Sequence, residues 1–236
     1  MSEAAYVGGE LELFEQAEHW KEYLATQLVP FIGSRVLEVG AGIGGTTRVL
    51  ARGRVGTWLC LEPDAQQARR LRELVEHGEL PRSCAVQDGV VGALEPAQVF
   101  DTILYVDVLE HILEDAAELA AASRHLAEGG HLVVLSPAHP WLFSPFDAAI
   151  GHHRRYTRRT LRAVAPEGLV LVQSRYLDSV GLLASTANRV ALRQAMPTLR
   201  EIQIWDRYMV RASTRIDALL GFRVGKSVLC VWRRSS

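Results

Sequence analysis

The feature that most constrains the fold is the segment VLEVGAGIGGTTRVL at residues 36–50, in which a short apolar run ends on closely spaced glycines. The apolar run predicts a β-strand, and the residues after the glycines predict a helix that ends near Gly53. A second apolar run, TWLCLE, predicts another strand that finishes on Glu62. Together they predict a β-α-β unit whose glycine turn and helix N-terminus face a ligand.

Strand and helix patterns continue to alternate as far as residue 136. They predict a helix over residues 65–77, strands at CAVQ and DTILYV, a helix over about 114–127 and a strand at HLVVLS. Because right-handed crossovers place helices on both faces of such a sheet, we predict an α/β fold with a doubly wound sheet. The next segment, PAHPWLFSPFDAAIGHHRRY, predicts a long loop over the carboxyl ends of the strands, where open α/β sheets bind ligands.

The remaining patterns surround this core. An amphipathic N-terminal helix is predicted over about residues 10–29. After the long loop, the sequence predicts a helix at TRRTLRAVA, a strand at GLVLVQSRY, a helical insert over 177–221 and a last strand at KSVLCVW. With 236 residues, the chain is expected to be a single domain, 1–236, whose core covers about 34–176 and 222–233.

Composition excludes several classes of protein. With 48% hydrophobic residues, 22% charged residues and a formal charge of −1, the chain resembles a globular protein and not one that coats nucleic acid. Cys60, Cys84 and Cys230 form no C-x-x-C pair, which fits a reducing, cytoplasmic setting. The acidic N-terminal segment lacks the features of a secretory signal, and no run of about 18 apolar residues is present. The protein is therefore expected to be neither exported nor integral to a membrane.

The glycines fit two different cofactors. Gly40, Gly42 and Gly45 spell G-x-G-x-x-G, which is typical of a dinucleotide site, whereas Glu38 and the glycines at 40, 42 and 44 spell E-x-G-x-G-x-G. Glu62 lies about 20 residues past the turn and suits the ribose hydroxyls of either cofactor. The glycine pattern alone does not decide between them.

Two other features favour a positively charged cofactor. Lys21 and Lys226 are the only lysines, so the chain has no Tyr-x-x-x-Lys pair of the kind that short-chain reductases use for hydride chemistry. Glu38 places a carboxylate at the mouth of the turn, where it would repel a pyrophosphate and attract an ammonium and a sulfonium.

Five segments, in order, resemble the motifs of class I S-adenosylmethionine-dependent methyltransferases. They are VLEVGAGIGG, LCLEPD, VQDG, FDTILYVDVLEHI and LAEGGHLVVLSP, and they cover about residues 35–137. The resemblance implies a Rossmann-like sheet of seven strands with the last strand antiparallel. It also implies S-adenosyl-L-methionine as the cofactor and S-adenosyl-L-homocysteine as its product.

The resemblance assigns cofactor-binding roles to matching positions. Around the methionine part it places Glu38, Gly40, Ala41, Gly42 and Gly44. At the ribose it places Glu62 with Pro63, at the adenine Asp88 and Gly89, and at the pocket floor Val106 and Asp107. His111 is expected to be a pocket residue or to lie at the start of a helix.

The segment GHHRRYTRR carries the candidate catalytic residues. Its G-H-x-R-R-Y pattern resembles a signature of small methyltransferases from glycan, lipid and secondary-metabolite pathways. An oxygen acceptor gains from a base that removes its proton, so His152 is the predicted base, with Arg154 or Arg155 holding an anionic group of the acceptor and Tyr156 in the same cluster. The alternative is a solvated basic turn or structural anchor in which Tyr156 caps the next helix.

A metal site is not predicted. His111 has Glu110 and Glu114 near it in sequence, and such a set could ligate a divalent cation. However, the Leu-Glu-His-Ile string is frequent in the resembling family without a metal. His139 and Asp147 are possible helpers of the chemistry.

The insert is expected to set the choice of acceptor. It carries two apolar stripes at helical spacing, interleaved with arginines at 189, 193, 207, 211 and 215. The stripes consist of Val180, Leu183, Ala187, Val190 and Ala191, and of Ile202, Trp205, Tyr208, Met209 and Ile216. They predict a lid or a dimer seam, which leaves monomer and homodimer open. An interfacial helix in peripheral contact with a membrane is the alternative.

The predicted function is methyl transfer to oxygen or an activated ring carbon of a small aromatic or hydrophobic acceptor, as in natural product biosynthesis. Trp141, Phe143, Phe146 and Trp205 suggest an acceptor of this kind. Alternatives are a polyprenyl-linked sugar or other lipid acceptor, and a cyclase or binding protein that keeps the cofactor without transfer. A nucleic-acid acceptor is not expected, because VDVLEHI stands where such enzymes carry Asn-Pro-Pro-Tyr.

Overall fold

The computed structural model describes residues 9–187 and 198–235, with side chains from residue 12 onwards. Part of the predicted insert pattern, namely Arg189, Val190, Ala191 and Arg193, lies outside the described residues.

Seven strands of the described chain form one sheet. They are β1 (Arg35–Val39), β2 (Thr57–Glu62), β3 (Cys84–Asp88), β4 (Phe100–Val106), β5 (Leu126–Pro137), β6 (Leu169–Leu177) and β7 (Ser227–Arg234). Their order is β3-β2-β1-β4-β5-β7-β6, and β7 runs antiparallel to both β5 and β6 while the other neighbouring strands are parallel. The predicted seven-stranded Rossmann-like sheet with an antiparallel last strand is confirmed.

Both faces of the sheet are buried, which explains the nearly continuous apolar strands. Successive residues of β1 point to opposite faces, so that Val36 packs in one core and Leu37 in the other. The first core also contains Trp20, Leu24 and Trp205, and the second contains Leu119 and Leu161. The N-terminal helices and the insert therefore cover one face of the sheet together.

The helices alternate with the strands as predicted. They are α1 (Gly9–Glu15), α2 (Glu18–Leu28), α3 (Gly45–Leu50), α4 (Ala65–Glu76), α5 (Asp115–Arg124), α6 (Pro145–Ala149), α7 (Arg158–Ala163), α8 (Ser179–Ala187), α9 (Leu199–Ile204) and α10 (Arg211–Leu219). A π-helical turn, Trp205–Val210, joins α9 to α10, and a 3₁₀ turn, Leu109–His111, follows β4. None of the described helices is both long enough and apolar enough to cross a lipid bilayer.

Two helix boundaries differ from the prediction. The N-terminal segment forms two helices instead of one, with a break at Gln16 and Ala17, and the buried Ala17 packs in the core at that break. The helix predicted to reach residue 127 ends at Arg124, and β5 already begins at Leu126. The pairing of β4 with β5 contains a bulge, which allows β5 to start before the two consecutive glycines at 129 and 130.

The long loop after β5 is also more ordered than predicted, because it contains α6. Ser144 and Asp147 form a capping box, in which the Ser144 Oγ accepts a hydrogen bond from the Asp147 backbone and the Asp147 carboxylate accepts one from the Ser144 backbone. Pro145 occupies the first position of the helix, which suits its fixed φ. The sequence SPFD carries this signal.

Buried aspartates fasten the insert to the N-terminal helices. Asp206 accepts a hydrogen bond of 2.8 Å from the Trp20 backbone, and Asp217 accepts one of 2.7 Å from the Tyr23 hydroxyl. Of the predicted stripe residues, Trp205 is buried whereas Leu183 and Tyr208 are exposed. A lid, a dimer seam and a membrane contact all stay predictions.

Candidate active site

The carboxyl ends of four neighbouring strands bring the predicted cofactor residues into one row. In the order β3, β2, β1 and β4, the strands end at Asp88, at Glu62, at the glycine turn and at Asp107. Neighbouring strands lie about 4.8 Å apart, so three intervals make a row of about 14 Å. The row crosses the point between β1 and β4 where the chain order of the strands reverses, which is the usual ligand crevice of such sheets.

The glycine turn keeps its backbone bare. Gly40, Gly42 and Gly44 have φ values of 65°, 56° and 78°, in the left-handed region that side chains disfavour. At Gly40, an added Cβ would lie 2.7 Å from Cγ2 of Val108. Ala41, between the first two of these glycines, is buried. A ligand can therefore approach the backbone of the turn closely.

Glu38 lies beneath the glycine turn and not in open solvent. Its side chain is 3% exposed, and its Oε2 accepts hydrogen bonds from Thr47 Oγ1 at 2.7 Å and Trp58 Nε1 at 2.8 Å. Burial raises the pKa of Glu38 to about 7, although these two hydrogen bonds lower it. A contact of this carboxylate with a cofactor ammonium stays a prediction, and the sequence did not indicate its two partners.

Glu62 is also buried, and it supports the turn directly. Its Oε2 accepts a hydrogen bond of 2.8 Å from the Gly42 backbone, and its Oε1 accepts one of 3.0 Å from the Asp64 backbone. Burial raises the pKa of this carboxyl, and the two backbone hydrogen bonds oppose that shift. The next residue, Pro63, is exposed.

The adenine end of the row is open. Asp88 is exposed and forms an ion pair with Arg72, while Gly89 adopts a φ of 131°. Its backbone N–H donates a hydrogen bond of 3.0 Å to the Glu62 carbonyl. The roles of Asp88 and Gly89 at an adenine stay predictions.

Asp107 follows Val106 at the end of β4 in a strained conformation. Its φ is 54°, which is rare for a residue other than glycine and is found mostly where function requires it. The side chain reaches solvent, yet the surrounding protein removes enough water to raise its pKa to about 6, against the opposing influence of His152, Lys226 and Arg155. Asp107 thus lies between the cofactor row and the groups of the long loop after β5, residues 138–156, which we call the acceptor loop after its predicted role.

The acceptor loop places His152 in a buried position. The side chain is 7% exposed, and its Nδ1 lies 3.0 Å from Oδ1 of Asp147. Arg155 contacts the same carboxylate with both arms of its guanidinium, at 2.8 and 3.0 Å. Burial raises the pKa of Asp147, but the hydrogen bonds from His152 and Arg155 outweigh it and hold that pKa well below its usual range. The contact of Nδ1 with Asp147 leaves Nε2 on the other side of the ring, 3.8 Å from Oε1 of Glu110.

Arg154 and Tyr156 make contacts within the chain. Arg154 donates to Asp115 Oδ2 at 2.7 Å and to the Leu113 carbonyl at 2.6 Å. The buried Tyr156 donates its hydroxyl to the same Asp115 oxygen at 2.6 Å. These contacts fasten the loop to the start of α5, and Thr157, not Tyr156, caps α7. Roles of Arg154, Arg155 and Tyr156 toward an acceptor stay predictions.

His111 lies with His152. Their ring centroids are 4.5 Å apart and the rings meet edge to face. Burial, together with the nearby His152 and His153, lowers the pKa of His111 to about 4. A contact of His111 with the cofactor stays a prediction.

Two residues near the cleft were not proposed for the site from the sequence. Lys226 precedes β7, lies 3.5 Å from Oδ2 of Asp178 and stands over the Trp205 ring at 3.7 Å. Burial lowers its pKa, although Asp178 raises it. Nothing in the local sequence marks Lys226 or Asp178, since 48 residues separate them.

The sequence suggests Asp147 as a helper of the chemistry. Its short spacing from His152 is the signal that could have assigned it as the partner of that histidine.

A cavity of about 490 Å³ borders the acceptor loop, and its lining includes Phe143, Arg154 and Tyr156. Among the described residues that line it, neither Asp107 nor His152 is found. We therefore do not assign it to the reacting acceptor.

Comparisons of sequence agree with the motif order. A family model described as a methyltransferase domain matches residues 11–196. The demethylmenaquinone methyltransferase of Tropheryma whipplei (strain Twist) is 32% identical over 162 residues, which are 64% of this chain and 60% of the relative. The ubiquinone biosynthesis O-methyltransferase of Xylella fastidiosa (strain 9a5c) is 37% identical over 108 residues, 45% of this chain and 43% of the relative. The aligned regions thus span less than two thirds of these relatives.

Solved structures with the same fold include proteins of different chemistry. Coclaurine N-methyltransferase bound to N-methylheliamine and S-adenosylhomocysteine has a TM-score of 0.63 and 14% identity, covering 90% of this chain and 71% of that one. The [4+2]-cyclase SpnF has a TM-score of 0.61 and 18% identity, covering 92% and 80%. At such identities the likeness shows the fold alone. Because the family model covers most of the sequence and the strand order is the one that the motifs implied, the chain belongs to the methyltransferase domain family.

Proposed function

We propose that the chain transfers a methyl group from S-adenosyl-L-methionine to an oxygen or an activated ring carbon of a small aromatic or hydrophobic acceptor. The observation that carries the proposal is the position of His152. Its Nδ1 lies against Asp147, and His152 is close enough to Asp107, at the end of the cofactor row, to lower the pKa of that carboxyl. This arrangement places a group that can accept a proton beside the cleft in which the methyl donor would lie.

The cofactor residues support this reading through their geometry. The bare glycine turn admits the methionine part of the cofactor, and Glu62 offers carboxylate oxygens next to that turn. Glu38 supplies negative charge below the turn, and a cationic ligand favours its ionised form. When bound, the cofactor supplies an electrophilic methyl carbon on a sulfonium.

The chain's own groups then complete an in-line displacement. Transfer of the methyl group to the acceptor oxygen would leave the electron pair of the broken carbon–sulfur bond on sulfur, as the neutral thioether. The acceptor proton passes to Nε2 of His152, and Asp147 keeps the imidazole in the required orientation. Positioning in near-attack geometry supplies most of the acceleration in such a reaction.

The names of the relatives support a ring acceptor. One is described as acting on demethylmenaquinone and the other as an O-methyltransferase of ubiquinone biosynthesis. Since both names refer to quinone compounds, we propose a phenol or quinol as the acceptor class of this chain. A lipid-linked sugar is the competing acceptor, and an acceptor panel that contains both classes distinguishes them.

Cofactor choice is tested by calorimetry on the purified protein. We expect S-adenosyl-L-methionine and S-adenosyl-L-homocysteine to bind, with Kd values in the micromolar range that is usual for substrates. We expect a nicotinamide dinucleotide to bind more weakly, because the carboxylate of Glu38 below the turn disfavours a nearby pyrophosphate when it is ionised. Tight binding of the dinucleotide without binding of S-adenosyl-L-homocysteine would contradict the proposal.

The acceptor chemistry is tested with a labelled methyl donor. With a phenolic acceptor, His152→Asn is expected to lower kcat by about 10²–10⁴, because the proton acceptor is lost. Binding of S-adenosyl-L-homocysteine should stay unchanged in this variant. His153→Asn, on the same loop but exposed, is the matched control and should transfer at the wild-type rate. Equal rates for the two variants would remove His152 from the chemistry.

A further inference from the structure

A fully buried carboxylate lies beside the candidate base without a partner of its own. Glu110 is 0% exposed, and neither of its carboxyl oxygens has a hydrogen-bond partner among the described residues. The Ser136 hydroxyl approaches this carboxyl without forming a well-aligned hydrogen bond. Burying an uncompensated carboxylate costs several kcal/mol, so such a group calls for a proton or a cation.

Two imidazoles face the same point. Glu110 Oε1 lies 3.8 Å from Nε2 of His152, and one ligand atom from each of Glu110, His111 and His152 lies within 4.8 Å of the others. Ligand atoms around a tetrahedral zinc ion with bonds of about 2.1 Å are separated by about 3.4 Å. A closure of up to about 1.4 Å therefore brings the three groups to coordinating distance.

Each of the two imidazoles already has a partner within the protein. Nδ1 of His152 lies against Asp147, and His111 makes a hydrogen bond with the backbone of Gly151. In metal sites, the second ring nitrogen of a histidine ligand is held in this manner by a carboxylate or a carbonyl, which fixes the tautomer and the ring orientation.

We propose that Glu110, His111 and His152 bind one divalent transition-metal ion, with zinc as the best match among common ions. Two imidazoles and a carboxylate suit zinc, whereas magnesium prefers oxygen ligands and octahedral geometry. Three protein ligands leave a fourth position open for water or for an acceptor oxygen, as in catalytic zinc sites. The sequence brings Glu110 and His111 together, but it did not indicate His152, because this third ligand comes from a loop 41 residues further along the chain.

The metal site does not depend on the methyl transfer proposed above. Nε2 of His152 cannot bind a metal and accept a proton at the same time, so the metal-bound and metal-free enzymes use this nitrogen differently. Zinc binding is measured without an acceptor, and the transfer assay is run in EDTA. Failure of one proposal is therefore visible without failure of the other.

The test is calorimetric titration of the EDTA-treated, dialysed protein with Zn²⁺, and visible spectroscopy with Co²⁺ as a probe. We expect one zinc ion per chain, and at least a 100-fold weaker affinity in Glu110→Gln and in His111→Asn. Glu114→Gln and His77→Asn remove an exposed carboxylate and an exposed imidazole, and are expected to bind zinc like the wild type. Mg²⁺ should bind more weakly than Zn²⁺ in every case.

Thermal unfolding shows whether the variants are folded. Without metal, Glu110→Gln should be at least as stable as the wild type, because it lacks the buried charge. Zinc should raise the Tm of the wild type and of the two control variants, but not that of Glu110→Gln or His111→Asn. Absence of zinc binding to the wild type, or equal affinity in all five proteins, would overturn the proposal.

Discussion

At the scale of single residues, the acidic groups of the cleft differ because their neighbours differ. Burial dominates at Glu38 and raises its pKa to about 7, even though two neutral donors contact it. At Asp147, the His152 and Arg155 contacts outweigh burial and lower the pKa. Side chains of similar chemistry thus carry different charge at neutral pH, which sequence spacing alone does not predict.

The pKa of Glu38 predicts how stability depends on pH. In the folded protein this pKa is about 7, against 4.5 for an unperturbed glutamate, so the folded state binds more protons between these values. Stability is therefore greatest below the unfolded pKa and falls as the pH rises to about 7. Relative to the wild type, Glu38→Gln should gain about 2 kcal/mol in free energy of unfolding between pH 5 and pH 8.

Urea denaturation of the cofactor-free protein at the two pH values measures this gain. Glu128→Gln, at an exposed site, is the control and should follow the wild type at both values. A Glu38→Gln variant that also runs parallel to the wild type would show that Glu38 is charged at pH 5.

At the scale of elements, the glycine turn after β1 is shaped by what lies against it. The Gly40 N–H donates to the Leu61 carbonyl at 2.8 Å, and Val108 lies over the Gly40 Cα. The turn thus links β1, β2 and the segment after β4. A side chain at Gly40 would disturb all three as well as the bare surface that a cofactor needs.

Gly40→Ala should therefore lower stability and cofactor affinity together. Its positive φ and the contact at 2.7 Å are expected to cost about 2–4 kcal/mol of stability and to weaken S-adenosyl-L-homocysteine binding at least tenfold. Gly53→Ala shares a positive φ, 69°, but an added Cβ there has no described atom within 4 Å. It should cost about 1–2 kcal/mol and leave binding unchanged. Calorimetry and urea denaturation of both variants decide between these outcomes.

At the scale of the whole molecule, the insert and the N-terminal helices form one layer on the sheet. Trp205 packs in this layer against two aromatic rings. Its ring centroid lies 6.1 Å from that of Phe14 and 5.9 Å from that of Trp20. Asp217 joins the layer to the end of β6 by accepting from the Asp178 backbone and the Tyr23 hydroxyl. The two parts are about 190 residues apart in sequence, so the packing of the layer must offset the entropy of closing a long loop.

Tyr23→Phe is expected to lower the free energy of unfolding by about 1–3 kcal/mol, because it removes a hydrogen bond to a buried carboxylate. Tyr208→Phe changes an exposed hydroxyl and should have no measurable effect. Urea denaturation compares the two. If both variants matched the wild type, the Tyr23–Asp217 contact would have no part in holding the layer together.

The sequence by itself determined the strands, the helices that alternate with them and the glycine turn, because these depend on local periodicity and on the conformational freedom of glycine. The candidate cofactor residues came from the family resemblance, and the parallel strands of the structure bring them to one edge of the sheet. Only the tertiary structure decided which charged groups are buried and what they face. Glu110 meets His152, and Lys226 meets Asp178, through contacts between distant segments, and their burial and protonation depend on those contacts.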